Sequence, residues 1–315
     1  MKKLISIFTL AAILLALPTK SQAQDNLQGE ISLSGAFALY PLAVKWAEEF
    51  KKLHPDVKID ISAGGAGKGI TDALAKVVDF GMVSRDLRPE EISKGAVAFA
   101  VAKDAVIPTI NAKNPKVKEL LAKGLSRDAA YKLFITAESK TWGDVLGVKS
   151  DIPVHVYTRS DASGAAETWA KFLNDKKQEE LKGTAVFGDP GLASAIIKDP
   201  LAIGFNNIGY VYDLKTKKTN PGIIPFPIDV NNNGKIDSQE RFYDNSVALI
   251  RAIAGGKYPS PPARDLLLVT NGKPTKPVVV AFLKFILTDG QKYSNESGFI
   301  ALSKDKLKAN LAKLK

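Results

Sequence analysis

Short apolar strands alternate with amphipathic helices along most of this 315-residue chain, and this alternation restricts the fold more than any other feature. Strands are predicted over residues 57–62, 80–84, 152–158 and 266–270, and each of the first three is followed by a loop and a helical pattern. Strand–loop–helix units of this kind build a sheet that is covered by helices on both faces. The sequence therefore predicts the α/β class.

The length indicates two hydrophobic cores, because a chain of this size exceeds what one core usually supports. There is no linker rich in Ser or Gly, so ordered segments must join the two parts. We predict one lobe from residues 24–108 and 262–315 and a second lobe from residues 109–261. The chain then crosses between the lobes twice, and a hinged cleft lies between them.

The first residues have the pattern of a secretory signal peptide. Lys2 and Lys3 precede an apolar stretch over residues 4–17, and a small-residue cleavage site ends at Ala23. The chain contains no cysteine, which excludes disulfides, thiolate metal sites and a lipid-modified cysteine. We expect cleavage of residues 1–23 and a soluble periplasmic protein.

The formal net charge is +11, and a basic surface of this kind helps to collect anions over long range. Nucleic-acid binding is disfavoured, because the lysines are spread along the chain and are not massed in one arm.

Three loops rich in Gly or Ser follow strands and open helices: residues 34–41 (SGAFALYP), 64–70 (GGAGKGI) and 159–169 (RSDASGAAETW). A helix N-terminus offers unpaired N–H groups and a partial positive charge, so it attracts anions. A fourth segment, VSRD, adds Ser84 and Arg85 at a strand end. An arginine fork matches a tetrahedral oxyanion. A phosphate-binding nucleotide loop is excluded, because Lys68 of GGAGKG is followed by glycine and not by Ser or Thr.

The motifs SGAFALYPLAVKWAEEF, GGAGKGITDAL, DFGMVSRD, RSDASGAAETW and DLLLVTNGKPT, in this order, resemble the phosphate-binding receptors of phosphate ABC transporters. The resemblance covers nearly the whole chain after the leader. It implies a type II periplasmic-binding-protein fold, in which two α/β lobes close on an anion. It also implies no enzymatic activity, and a permease in the membrane as partner. We expect a monomer.

The resemblance implies that Asp161 orients Arg159 and accepts a proton from protonated phosphate. Backbone amides at Ala38 and Gly67 add donors. The full predicted ligand set is Phe37, Ala38, Ala66, Gly67, Lys68, Ser84, Arg85, Arg159, Asp161, Ser163, Gly164 and Ala165.

This sequence departs from the family pattern where hydroxyl donors are usual, at Ala38, Ala66 and Ala165. A hydrogen bond to a charged group contributes about 1.5–3 kcal/mol, so a tight site needs compensation from Lys68 or Ser34. Two alternatives to phosphate therefore stay open. The ligand is another anion, such as a phosphate ester or a carboxylate, or the protein is a calcium-bearing extracellular scaffold or adhesion module of the same fold.

Residues 229–240 (DVNNNGKIDSQE) match an EF-hand calcium loop, with glycine at position 6 and glutamate at position 12. The alternative is a polar surface turn. The pattern predicts one structural calcium ion. Its ligands are predicted to be Asp229, Asn231, Asn233, Lys235 (through its carbonyl), Asp237 and Glu240.

The sequence offers no catalytic constellation. The two histidines are His54 and His155, no G-x-S-x-G motif is present, and Ser163 has no histidine base within its own motif. We therefore predict a binding protein and not an enzyme.

Overall fold

The structure, a computed structural model, describes residues 27–315. The signal peptide predicted for residues 1–23 lies outside the described residues. No helix within residues 27–315 is long and apolar enough to cross a membrane.

Nine strands are found in the described part of the chain. They are β1 (Gly29–Gly35), β2 (Val57–Ala63), β3 (Phe80–Val83), β4 (Ala96–Asn111), β5 (His155–Arg159), β6 (Thr184–Val186), β7 (Ala202–Asn207), β8 (Ile223–Pro225) and β9 (Ala263–Asn271).

The helices lie between these strands and after the last of them. They are α1 (Tyr40–Leu53), α2 (Ala66–Leu74), α3 (Pro89–Ser93), α4 (Val117–Lys123), α5 (Arg127–Phe134), α6 (Trp142–Leu146), α7 (Gly164–Phe172), α8 (Gly188–Lys198), α9 (Ile208–Val211), α10 (Ser246–Ala254), α11 (Pro277–Leu287), α12 (Lys292–Glu296) and α13 (Lys304–Ala312). Single 3₁₀ turns lie at Gln178–Glu180, Ser238–Glu240 and Asp289–Gln291.

The strands pair in the order β2-β1-β3-β9-β4-β7-β5-β6, and β8 pairs with β4. The long strands β4 and β9 run antiparallel and connect two separate hydrophobic cores. Along β4 one core ends at Ala102 and the other begins at Ala105. The α/β class is confirmed, and β4 and β9 are the two crossing segments. The lobe limits at residues 108 and 262 stay a prediction.

Helix α1 packs against the core through one apolar face, which its sequence pattern predicts. Leu42, Trp46 and Phe50 recur at a spacing of four residues, so they share one face, and all three are buried. The indole of Trp46 also donates to the carbonyl of Gly290 over 2.8 Å. Pro41 in the first turn costs no hydrogen bond there.

Two predicted elements have different limits. The strand predicted over residues 152–158 is β5, which begins only at His155, and the strand predicted over residues 266–270 is β9, which begins at Ala263. Helix α7, which follows β5, ends at Phe172, because Asn174 and Asp175 have φ values of +62° and +54°. These left-handed conformations break the helical hydrogen bonding, and the polar pair Asn-Asp tolerates them better than most residues.

Candidate anion site between the lobes

The loops that follow β1, β2 and β5 meet where the two lobes touch. The carbonyl of Gly35 accepts the N–H groups of Gly64 and Gly65 over 2.9 and 3.0 Å. Gly67, in the first turn of α2, donates across the lobe boundary to the carbonyl of Ala162 over 3.0 Å. Two of the three predicted loops thus join in the first lobe and contact the third loop directly.

Arg159, the last residue of β5, lies at the centre of this junction, and its side chain is only 1% exposed. Its Nε and one terminal nitrogen donate to the two oxygens of Asp161 over 2.8 and 2.7 Å. The other terminal nitrogen donates to Asp189 over 2.6 Å. Burial alone would lower the pKa of Arg159, but Asp189 and Asp161 outweigh it and raise that pKa. The guanidinium is therefore charged and held in one orientation.

Phe37 encloses Arg159 from the first lobe. Its ring centre lies 5.5 Å from the guanidinium carbon, a cation–π distance, and its ring meets Phe187 edge-on at 5.8 Å. The hydroxyl of Tyr210 donates to the carbonyl of Phe37 over 3.0 Å. These contacts join residue 37 to the second lobe and keep bulk water from the arginine.

Ser84 and Gly164 form a close contact between the lobes. Ser84 is 2% exposed, and a Cβ added to Gly164 would lie 2.8 Å from the Ser84 carbonyl oxygen and closer still to its hydroxyl. Ser163 caps α7 by accepting the N–H of Ala166 over 3.2 Å. The first-turn N–H groups of Gly164 and Ala165 have no acceptor within the helix, so they are available to an anion.

The three alanines that replace expected hydroxyl residues lie at the same junction. Ala38, Ala66 and Ala165 are 3%, 1% and 2% exposed. The structure thus brings together the predicted residues Phe37, Ala38, Ala66, Gly67, Ser84, Arg159, Asp161, Ser163, Gly164 and Ala165. The donors at this junction include the N–H groups of Gly164 and Ala165, Ser84 and Arg159, whereas the Gly67 N–H, which was predicted as a donor to the anion, donates to the carbonyl of Ala162.

Two predicted ligands, Arg85 and Lys68, pair with carboxylates of the first lobe in this structure, and their role as anion ligands stays a prediction. Arg85 is bound by both oxygens of Glu91, over 2.9 and 2.7 Å, because α3 brings that carboxylate alongside the strand end. Lys68 pairs with Asp72 one turn further along α2 and is largely exposed. Ser34 also donates to Asp72, over 2.6 Å. Neither Lys68 nor Ser34 is free to replace the missing hydroxyls.

Asp189 was not predicted from the sequence, yet it is 1% exposed and accepts a hydrogen bond from Arg159. It stands in the first turn of α8, directly after Gly188 and close behind β6. This is the same strand–glycine–helix arrangement that marked the other loops, so the rule that found them also applies to the segment VFGDPG. A carboxylate in the first turn is favoured by the helix dipole.

The predicted calcium loop forms a compact turn on the second lobe. Asp229 accepts the N–H groups of Asn233 and Gly234 over 3.1 and 2.8 Å, and Gly234 has a φ of +79°. Glu240 accepts the N–H groups of Val230 and Asp237. Among residues 27–315, no group of three or more His, Cys, Asp or Glu side chains is arranged to hold a metal ion.

A family model described as the PBP superfamily domain matches residues 20–290 of this sequence. The chain belongs to the PBP superfamily. The phosphate-binding protein PstS of Staphylococcus aureus (strain USA300) is 26% identical over 299 residues, covering 92% of this chain and 84% of the relative.

Solved structures share the fold of this PBP-superfamily chain. One, from Clostridium perfringens, is described as a phosphate ABC transporter substrate-binding protein with bound phosphate. It has a TM-score of 0.70 and 24% identity, and the match covers 87% of this chain and all of that one. An ABC-type phosphate transport receptor from Vibrio cholerae has a TM-score of 0.61 and 20% identity, covering 86% and 99%. The two-lobed periplasmic-binding-protein fold expected from the sequence is confirmed.

Proposed function

We propose that this protein is a periplasmic receptor that binds phosphate between its lobes and presents it to the permease of an ABC importer. One observation carries the proposal: the buried, charged guanidinium of Arg159 lies where the N-terminal turns of α2 and α7, from different lobes, meet. The relative from Staphylococcus aureus and the phosphate-bound neighbour from Clostridium perfringens support phosphate as the anion.

Anion binding and lobe closure are one event in this arrangement. Arg159 and the N–H groups of Gly164 and Ala165 belong to the second lobe, while Ser84 and the α2 N-terminus belong to the first. An anion that accepts hydrogen bonds from both sides favours the closed form, since it interacts more strongly with that form than with the open one. We further propose that the protein binds its anion as a monomer and without turnover.

Calorimetric titration of the mature protein with phosphate, and then with sulfate, tests the proposal. We expect phosphate to bind and Arg159→Ala to abolish that binding, because the variant removes the site's cation and leaves two buried carboxylates. Arg251→Ala is the matched control, since Arg251 is exposed on α10. A titration of the wild type with phosphate that releases no heat at several temperatures would overturn the proposal. Release of phosphate from phosphate esters would contradict the non-enzymatic part.

We also propose that residues 229–240 bind one structural calcium ion. The residue types fit, since Asp229, Asp237 and Glu240 supply three carboxylates, and Gly234 already has the left-handed conformation that the sharp turn needs. Calcium would draw Glu240 away from the backbone N–H groups that it accepts now. The turn packs on the second lobe through buried Ile236, whose N–H donates to the carbonyl of Ala122 over 2.8 Å.

Thermal unfolding with calcium and with a chelator tests this second proposal. We expect chelation to lower the melting temperature of the wild type and to leave that of Glu240→Gln unchanged, with phosphate affinity nearly unaffected in both. A melting temperature that does not respond to calcium in the wild type would contradict the proposal.

A further inference from the structure

A chain of buried polar contacts connects the crossing strands to the anion site. Arg264, on β9, donates to the Ser84 carbonyl in the first lobe over 3.1 Å and to the side-chain oxygen of Asn207 in the second lobe. The amide nitrogen of Asn207 donates to Asp189 over 2.7 Å, and Asp189 accepts from Arg159.

This series of contacts begins at Asp104, which faces Arg264 across the paired crossing strands. We call Asp104, Arg264, Asn207, Asp189 and Arg159 the hinge network. All five residues are less than a tenth exposed.

The pairing of Asp104 with Arg264 is loose. The closest terminal nitrogen of Arg264 lies 3.8 Å from the Asp104 carboxylate, which is too far for a hydrogen bond. Within residues 27–315, neither Asp104 oxygen nor that nitrogen has a well-formed hydrogen-bond partner, although the N–H groups of Ala105 and Ile208 favour the ionised carboxylate. A buried ion pair without such bonds does not offset the cost of removing its charges from water.

We propose that Asp104 and Arg264 are positioning residues that act on Arg159 through the hinge network. This inference rests on the proposed function and extends it. Arg264 contacts Ser84 and Asn207, one on each lobe, so its placement helps to set the geometry of the closed site. An ionised Asp104 offsets the positive charge of Arg264, so the ionisation of Asp104 sets how strongly Arg264 attracts the anion.

The charges of the network explain the effect. With Asp104 ionised, the carboxylates of Asp104, Asp161 and Asp189 exceed the two guanidiniums by one charge, which disfavours a bound anion. With Asp104 protonated, the charges balance.

Burial raises the pKa of Asp104 to about 6, against the attraction of Arg264. The other ionisable groups that act on this carboxyl are Asp189, Tyr210 and Tyr258. Both tyrosines have raised pKa values and stay neutral in this pH range. The charge of Asp104 therefore changes near neutral pH, and a bound anion should favour its protonated form.

The test compares phosphate dissociation constants of the wild type and Asp104→Asn from about pH 5 to about pH 7.5, a range that brackets the carboxyl's titration. The ratio of the two constants removes the part of the pH dependence that the ionisation of phosphate contributes equally to both proteins. We expect the variant to bind roughly three- to tenfold more tightly at the upper pH and about equally at the lower pH, because the two proteins differ there by one buried charge and then by none. Asp128→Asn, an exposed carboxylate on α5, is the matched control.

The inference is overturned if the ratio of the two dissociation constants does not change with pH, or if Asp128→Asn shows the same change. In either case, phosphate binding by the wild type leaves the proposed function intact. Failure of the wild type to bind phosphate refutes both. If Asp104→Asn does not fold, NMR titration of the Asp104 carboxyl carbon in the wild type replaces it. The midpoint should rise when phosphate saturates the protein, and an unchanged midpoint overturns the inference.

Discussion

Gly164→Ala offers a direct test of the closed geometry, because it adds a methyl group at a close contact between the lobes. The new Cβ would lie 2.8 Å from the carbonyl oxygen of Ser84, whereas ordinary contacts of this kind begin at 3.4 Å. The backbone cannot yield on either side without moving α7 or the end of β3, so the lobes must close less far. Overpacking of this kind costs about 1–3 kcal/mol, which corresponds to a roughly five- to hundredfold loss of affinity.

The assay is phosphate titration calorimetry combined with small-angle scattering, which reports lobe closure. The variant keeps the N–H group of residue 164, so lost affinity reports closure and not a lost donor. The melting temperature of the unliganded protein should stay close to that of the wild type, because the lobes can rest further apart when no anion joins them. Gly209→Ala is the matched control, since a Cβ at Gly209 meets nothing within 4 Å. Wild-type phosphate affinity in Gly164→Ala would refute the reasoning.

Three further predictions concern single contacts. Ala165→Thr adds a hydroxyl in the first turn of α7 and should tighten phosphate binding by up to roughly tenfold, measured by calorimetry, whereas weaker binding would show that the pocket has no room for it. Tyr210→Phe loses the 3.0 Å bond to the carbonyl of Phe37 and should weaken binding about two- to tenfold without lowering the melting temperature. Glu91→Gln leaves the buried charge of Arg85 with a weaker partner and should lower the free energy of unfolding by up to about 3 kcal/mol in urea titrations at neutral pH. Burial raises the pKa of Glu91, but the hydrogen bonds and charge of Arg85 outweigh burial and lower that pKa below its ordinary value. The difference in unfolding free energy between the wild type and Glu91→Gln should therefore shrink as the pH falls through the lowered pKa. A difference that stays constant with pH would contradict this assignment.

Local pattern was sufficient for the predictions that depend on near neighbours in sequence. The stripe of Leu42, Trp46 and Phe50 marked a buried helix face, and the glycine loops marked the strand ends that meet between the lobes. The family resemblance then indicated Arg159 and Asp161 as partners, and they are hydrogen-bonded at 2.8 and 2.7 Å. These two residues stand two positions apart, so a local motif was enough to pair them.

The sequence did not predict the partners of two cations near the cleft. Arg85 and Lys68 carry the right charge for an anion site, and in the structure they pair with Glu91 and Asp72. A cation at the edge of a cleft pairs with the nearest carboxylate, and only the packing of α3 and α2 decides which carboxylate that is.

The sequence by itself determined the α/β class and the loops that face the cleft, because both follow from periodicity and from helix N-termini. The tertiary structure alone decided the environment of Arg159. Asp189 reaches it from 30 residues away, and Arg264 reaches Ser84 from 180 residues away. Such contacts depend on how far apart whole strands and helices lie once two cores have packed, and no local pattern specifies those distances.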